Sequence, residues 1–375
     1  MLGIRKVFVT RDVACEPVTG QIKKRINQWK RPPQWEYIDH TNAAYAYING
    51  APDPIKAGKQ ALLLTRNRGP FFKKCPGTRD YICCGYKILH WASYCPMDCV
   101  YCILQAYFHP PLMQIFVNQA DLWRELDALF ASRTLNRVGT GEFTDSLVWE
   151  PLTDLTPMLV ERFGNQTTSV LELKTKTVNI AALEGLQHNR KTILAWSLNS
   201  SAVMGALELG SAPLAKRLKA ARQCSRWGYP LAFHFDPLVI YDSWEQDYAL
   251  IIQALFDHVD PQQIVWISLG TFRFMPALKE TIQKRFPKAD LIYGEFISGM
   301  DGKMRYFKPI RIEIYQKIIE MIQAAAPHTT LYFCMEDDPV WKACFGYSPR
   351  DKGGLNQILD RSAVRHCELQ GLIDN

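Results

Sequence analysis

The chain holds 375 residues, 47% of them hydrophobic and 22% charged, which is enough apolar material for a large packed core and excludes global disorder. No apolar run of about 18 residues occurs, which excludes a membrane-spanning helix, and the opening Met1–Thr10 lacks the unbroken apolar stretch of a secretory signal, so a cytoplasmic setting with reduced thiols is expected. The formal net charge of +7 is uneven: residues 1–90 carry 16 Lys and Arg against 6 Asp and Glu, and the remainder 28 against 31.

Residues 1–85 read as a basic N-terminal extension in which Arg31-Pro32-Pro33 and Ala51-Pro52-Asp53-Pro54 are extended connections. Trp29, Trp35, Tyr37, Tyr45 and Tyr47 lie among its cations, a composition shared by a solvated basic surface and by a face that contacts nucleic acid. From 86 to 335 short apolar runs alternate with longer amphipathic stretches. Strands are expected at 86–91, 135–142, 169–174, 192–198, 230–235 and 263–269. Helices are expected at 100–108, 118–131, 154–163, 178–188, 211–227, 242–257 and 276–286, with Thr153, Asp154 and Asn179 as capping candidates. Such alternation implies parallel βαβ units, and six strands rather than eight imply an incomplete (β/α)6 TIM-like barrel with its chemistry at the strands' carboxyl ends. A strand at 291–296, a glycine-rich turn at 298–302, a helix at 308–325 and a strand at 329–333 follow. Residues 336–375 read as a short polar C-terminal extension in which Glu336-Asp337-Asp338 is a solvated turn.

Of 11 cysteines, six lie between 75 and 102. An odd number in a reducing compartment argues against a disulfide framework. Directly after the first expected strand, Cys95, Cys99 and Cys102 are spaced C-x3-C-x2-C. Three thiolates on one loop can hold a four-iron, four-sulfide cluster and leave one iron open to a substrate or cofactor. A zinc site needs a fourth ligand, for which His90 and His109 are candidates, and that reading makes the chain a zinc-stabilised nucleic-acid module. Tyr101 is an aromatic placed to pack on an adenine. Cys75, Cys83 and Cys84 could hold a second cluster with Cys334 or Cys344, serve as redox thiols, or simply pack.

The three-cysteine motif resembles that of the radical S-adenosylmethionine superfamily. Within it, the runs 102–107, Glu142–Ser146, Thr175-Lys176, Ser197–Ser200, Trp227–Leu238 and Arg305-Tyr306 occur in an order similar to the spore photoproduct lyase family. The resemblance implies a [4Fe-4S] cluster on Cys95, Cys99 and Cys102, with S-adenosyl-L-methionine on its open iron and a 5′-deoxyadenosyl radical as product of their reaction. It implies an electron donor such as flavodoxin or ferredoxin, and damaged DNA as partner. Lys176 would contact the cofactor carboxylate, Ser197 its polar side and Glu142 its ammonium, while His234, at the end of the fifth strand, could hydrogen-bond the cofactor ribose or a substrate, or be a satisfied barrel histidine. Arg305 and Tyr306 would sit at the lesion, with Tyr306 as a radical relay. Two departures stand out. Phe143 occupies the place of the family's hydrogen-donating cysteine, and Ile103 that of a tyrosine, so a substrate other than the spore dimer is expected. A radical enzyme acting on a small molecule or peptide is the other enzymatic reading.

Overall fold

The six central runs pair in sequence order, as a computed structural model describing residues 2–77, 80–132 and 134–369 shows. Lys87–Leu89, Asn136–Gly139, Ser169–Thr175, Thr192–Ser197, Leu231–Leu238 and Ile264–Thr271 are all parallel, and Leu331–Phe333 adds a seventh parallel strand. Phe72–Lys74 pairs antiparallel with the first strand and ends the sheet, which curls into a partial barrel. The central strands carry near-continuous apolar runs: Ile193, Leu194, Ala195 and Trp196 are all buried, as a parallel strand covered on both faces requires. The last residue of the second strand, Gly139, has to be glycine because the Tyr86 hydroxyl fills the space a Cβ would take there.

Helices Gln119–Ala131, Leu155–Gly164, Leu214–Arg226, Trp244–His258, Pro276–Arg285 and Lys308–Ala325 cover the barrel. The helix expected at 178–188 is absent; one 3-10 turn, Ala181–Leu183, replaces it, and Gly185 at φ 73° turns the chain away. The helix expected at 100–108 shortens to Leu104–Tyr107. Ser201–Leu207 is an unexpected helix, capped by Ser200, which accepts from the Val203 N–H at 3.1 Å. The strand expected at 291–296 instead forms at Phe296–Ser298, in a small antiparallel sheet with Met304–Tyr306 and Arg273–Phe274.

Residues 6–65 are more than extended connections. Lys6–Thr10, Gln34–Ile38 and Ala61–Thr65 form a parallel sheet that Met113–Phe116 and Ala92–Ser93 complete. Val7, Val9, Leu62 and Leu64 join the barrel's hydrophobic core, so sheet and barrel are one packed body. Several of the segment's cations are spent in ion pairs: Lys6 with Glu36, Arg25 with Asp154, and Arg66 with Glu16 and Asp121. Far from being a polar tail, residues 338–367 form helices Asp338–Phe345 and Leu355–Cys367, the second burying Leu355, Leu359, Ala363 and Cys367. Glu336 is buried against Arg311 and the Tyr315 hydroxyl, not solvated. Thr78, Arg79 and 370–375 lie outside the described residues. Among the described residues no helix is long and apolar enough to cross a membrane.

Candidate active site

A cavity of about 430 Å³ opens at the carboxyl ends of the barrel strands, where parallel βαβ architecture gathers its loops. Cys95, Cys99 and Cys102 all line it. Their loop is fastened from both sides. Asp98–Cys99 pairs antiparallel with Glu208–Leu209, and the Gln105 side chain donates to the Cys99 carbonyl at 2.9 Å. Lys59 donates to the Cys95 carbonyl at 3.1 Å and to that of Met97. Burial pushes the Cys95 thiol up to about 12, and Cys99 higher still. The two histidines weighed as a fourth zinc ligand are occupied elsewhere. His90 contacts Ser93 at 2.6 Å and Lys73 at 2.9 Å, and His109 contacts the Ala106 carbonyl at 3.2 Å.

Tyr101, Glu142, Lys176, Ser197 and His234 line the same cavity. Tyr101 and Lys176 converge on one carboxylate: Lys176 reaches Glu208 at 2.8 Å and the Tyr101 hydroxyl at 3.1 Å, and that hydroxyl donates to Glu208. Glu208 also holds Arg217 at 2.5 Å. Burial opposes ionisation of Glu208, but Lys176 and Arg217 outweigh it and bring the carboxyl down to about 2. Glu142 pairs with Lys174, which it keeps above the usual ammonium range against the effect of burial. Ser197 is nearly buried, and its carbonyl accepts from Arg217 at 2.7 Å. His234 points inward, with Nε2 at 2.8 Å from Glu172, whose Oε1 also accepts from Trp266.

Arg305 and Tyr306 are not among the lining residues. Arg305 is buried, bonding Asp301 at 2.9 Å and the Met335 carbonyl at 3.0 Å, while Lys303 and Met335 themselves line the cavity. The Tyr306 hydroxyl accepts from the Ile240 N–H at 3.3 Å, and its ring stacks on Phe296. Phe143 does line the cavity, beside Tyr107 and Phe108.

Sequence reasoning missed Lys174, Glu172, Asp145 and Glu208, and took Cys334 only as a candidate ligand of a second cluster. The period of two along Glu172, Lys174 and Lys176 puts all three on the inner face and could have exposed the first two. Asp145 accepts from the Lys176 N–H and the Thr175 hydroxyl, both at 2.7 Å, locking the second strand's loop to the third strand's end. Cys334 ends the last barrel strand and receives Arg273 at 3.4 Å; the same guanidinium pairs with Asp236 at 3.1 Å. Cys75 and Cys84 line the wall as well.

The family model described as Spore photoproduct lyase matches residues 83–333. A spore photoproduct lyase of Bacillus subtilis (strain 168) is 30% identical over 207 residues, which cover 54% of this chain and 60% of that protein. One from Clostridium acetobutylicum is 24% identical over 269 residues, covering 70% and 76%. The chain thus spans about three fifths of the length of the Bacillus relative. In structure, a spore photoproduct lyase variant with dinucleoside spore photoproduct superposes with a TM-score of 0.79 at 22% identity, over 88% of this chain and 99% of that one. A second variant, with bound AdoMet and the dinucleoside, gives 0.76.

Proposed function

Because the chain belongs to the spore photoproduct lyase family of the radical S-adenosylmethionine superfamily, we propose that it is a radical lyase repairing a base lesion in DNA. The observation that carries this reading is the convergence of Cys95, Cys99 and Cys102 on one cavity with Lys176, Glu142 and Ser197. Three thiols on one loop, all lining one cavity, fit a [4Fe-4S] cluster with an open iron. With S-adenosylmethionine bound, that group supplies radical abstraction of a hydrogen atom and releases 5′-deoxyadenosine.

The chain's own residues position and shield. Cys95, Cys99 and Cys102 give up their protons on loading, because only thiolates ligate. Lys176, steered by Glu208, presents an ammonium to the cofactor carboxylate. Tyr101, held by the same carboxylate, offers a flat apolar ring for the adenine. Phe143, Tyr107, Trp266 and Phe272 make the wall water-poor, which protects a reactive carbon centre. A thymine lesion reaches this wall only when lifted out of the base stack.

Phe143 has no S–H to donate, so hydrogen return falls to a thiol on the wall. Cys334 fits this role. Its sulfur accepts from Arg273, and burial raises it to about 11, which keeps the S–H intact at neutral pH. In that step a C–H bond forms, the S–H bond breaks and the unpaired electron moves to sulfur. All eleven cysteines are free, in keeping with a reducing, cytoplasmic setting.

The test is anaerobic incubation of the iron-loaded protein with S-adenosylmethionine, a reductant and a panel of thymine lesions that includes the spore dimer. Release of 5′-deoxyadenosine with repair of one lesion supports the reading. Turnover on a small molecule or peptide with every lesion inert overturns its substrate class.

A further inference from the structure

A second depression, about 890 Å³, lies between the N-terminal sheet and the barrel, on the other side of the cysteine loop. Met97 lines both it and the active-site cavity, so the thickness of that loop separates the two. Lys56, Lys59, Lys216 and Arg285 line it. Asp98 is its lining carboxylate, already engaged by Arg285 at 2.9 Å and by Lys59 at 3.6 Å. Asp53, at the rim, lies 3.9 Å from Arg285.

Lys216 also begins a basic ridge. Helix Leu214–Arg226, of sequence LAKRLKAARQCSR, contains no acid, and Lys216, Lys219, Arg222 and Arg226 are exposed at spacings of three, three and four residues along one face. They span about 15 Å of helix. Among the described residues none of these four cations, nor Lys56, forms an ion pair. On the neighbouring helix Trp244–His258, Glu245 turns to Lys317, Asp247 to the Tyr241 hydroxyl and Asp257 to the Gln253 amide, and among the described residues none of the three pairs with the ridge. Like charges three and four residues apart on a helix repel one another mildly, and an acidic partner relieves that repulsion.

We propose that this groove and ridge dock an acidic one-electron carrier protein of the flavodoxin class. The inference rests on the proposed function, since it supplies the electron that the loop-bound cofactor consumes. In that transfer the carrier's flavin loses one electron, the cofactor gains it, and no bond forms or breaks. The location favours a carrier over DNA. A carrier seated here faces the outer side of the loop, whose Cys95 and Met97 carbonyls are tied by Lys59 to the groove floor. A duplex lying here would have that loop between its bases and the cavity.

The test uses the full chain and its charge-reversed variant K56E/K216E/K219E, none of whose sites touches the active-site cavity. Titration with oxidised flavodoxin at low salt is expected to show affinity falling at least about tenfold in the variant, with a parallel loss on raising salt in the parent. Flavodoxin-driven 5′-deoxyadenosine formation should fall alongside, and dithionite-driven formation should not. A flavodoxin bearing Lys in place of surface acids should restore binding to the variant. Undiminished affinity overturns the proposal, as does loss of duplex oligonucleotide binding with flavodoxin binding retained. If the parent makes no 5′-deoxyadenosine even with dithionite, the functional reading has failed, and the titration still decides the docking surface.

Discussion

Glu208 and Arg217 meet at 2.5 Å with neither side chain exposed, and the same carboxylate takes Lys176 at 2.8 Å. Glu208 also pairs through its backbone with Cys99, so one residue fastens the cysteine loop, a cavity lysine and a barrel helix together. Replacing it by Gln leaves Arg217 buried without a counter-charge. Glu208→Gln is expected to cost about 3–5 kcal/mol of stability, read by urea unfolding at pH 7. The sign with pH follows from its depressed carboxyl: the stabilisation is full above the ordinary carboxylate range and is lost as pH falls toward about 2. A loss below about 1 kcal/mol would mean that the network is dispensable.

Cys99 is the most buried of the three motif thiols and lies in the strand that Glu208 braces. Cys99→Ala is expected to remove the brown absorbance and the bound iron of anaerobically loaded protein, and 5′-deoxyadenosine with it. Iron content equal to that of the parent would reject the ligand assignment.

Lys176 shares the cavity of the three thiols, and under the proposed function it serves the cofactor rather than the cluster. Lys176→Ala should weaken S-adenosylmethionine binding about tenfold to a hundredfold, as loss of a charge-assisted bond does, while iron content stays constant. Titration of the loaded protein with the cofactor measures it, and unchanged affinity would remove Lys176 from the site.

What could be read from the sequence follows the period of its contacts. The barrel strands are long apolar runs and the cysteines a local motif, so both were legible. The N-terminal sheet was not, because its strands are five residues long, set among cations, and completed by Ala92–Ser93 and Met113–Phe116 from a distant stretch of chain. Glu208 gives no local signal, since its partners Tyr101 and Lys176 lie 107 and 32 residues away. Arg305 and Tyr306 came from family resemblance alone, and their packing against Met335 and Ile240 keeps them behind the cavity wall.

Cys334 exchanges its S–H hydrogen with solvent, whereas carbon-bound hydrogens of the cofactor do not. Repair in heavy water should therefore place deuterium on the product if this thiol returns the hydrogen. Cys334→Ala should abolish that label and slow product formation with 5′-deoxyadenosine release preserved. Full deuterium incorporation in the variant would shift the role to Cys75 or Cys84, the remaining thiols on the wall outside the three-cysteine motif.

Glu150 provides a test of burial energetics away from the chemistry. Burial raises its carboxyl from 4.5 to about 7, and among the described residues it forms no ion pair. A carboxyl raised in the folded state binds more protons there than in the unfolded chain between these two values, so stability falls as pH rises through that window. Above pH 7 the native state carries a buried charge costing about 3 kcal/mol relative to the unfolded chain. Glu150→Gln removes the titration with little change of shape. The variant should match the parent near pH 4.5 and exceed it by about that amount at pH 8, read by urea unfolding at both pH values. Equal stabilities at pH 8 would show that Glu150 is solvated or paired in solution.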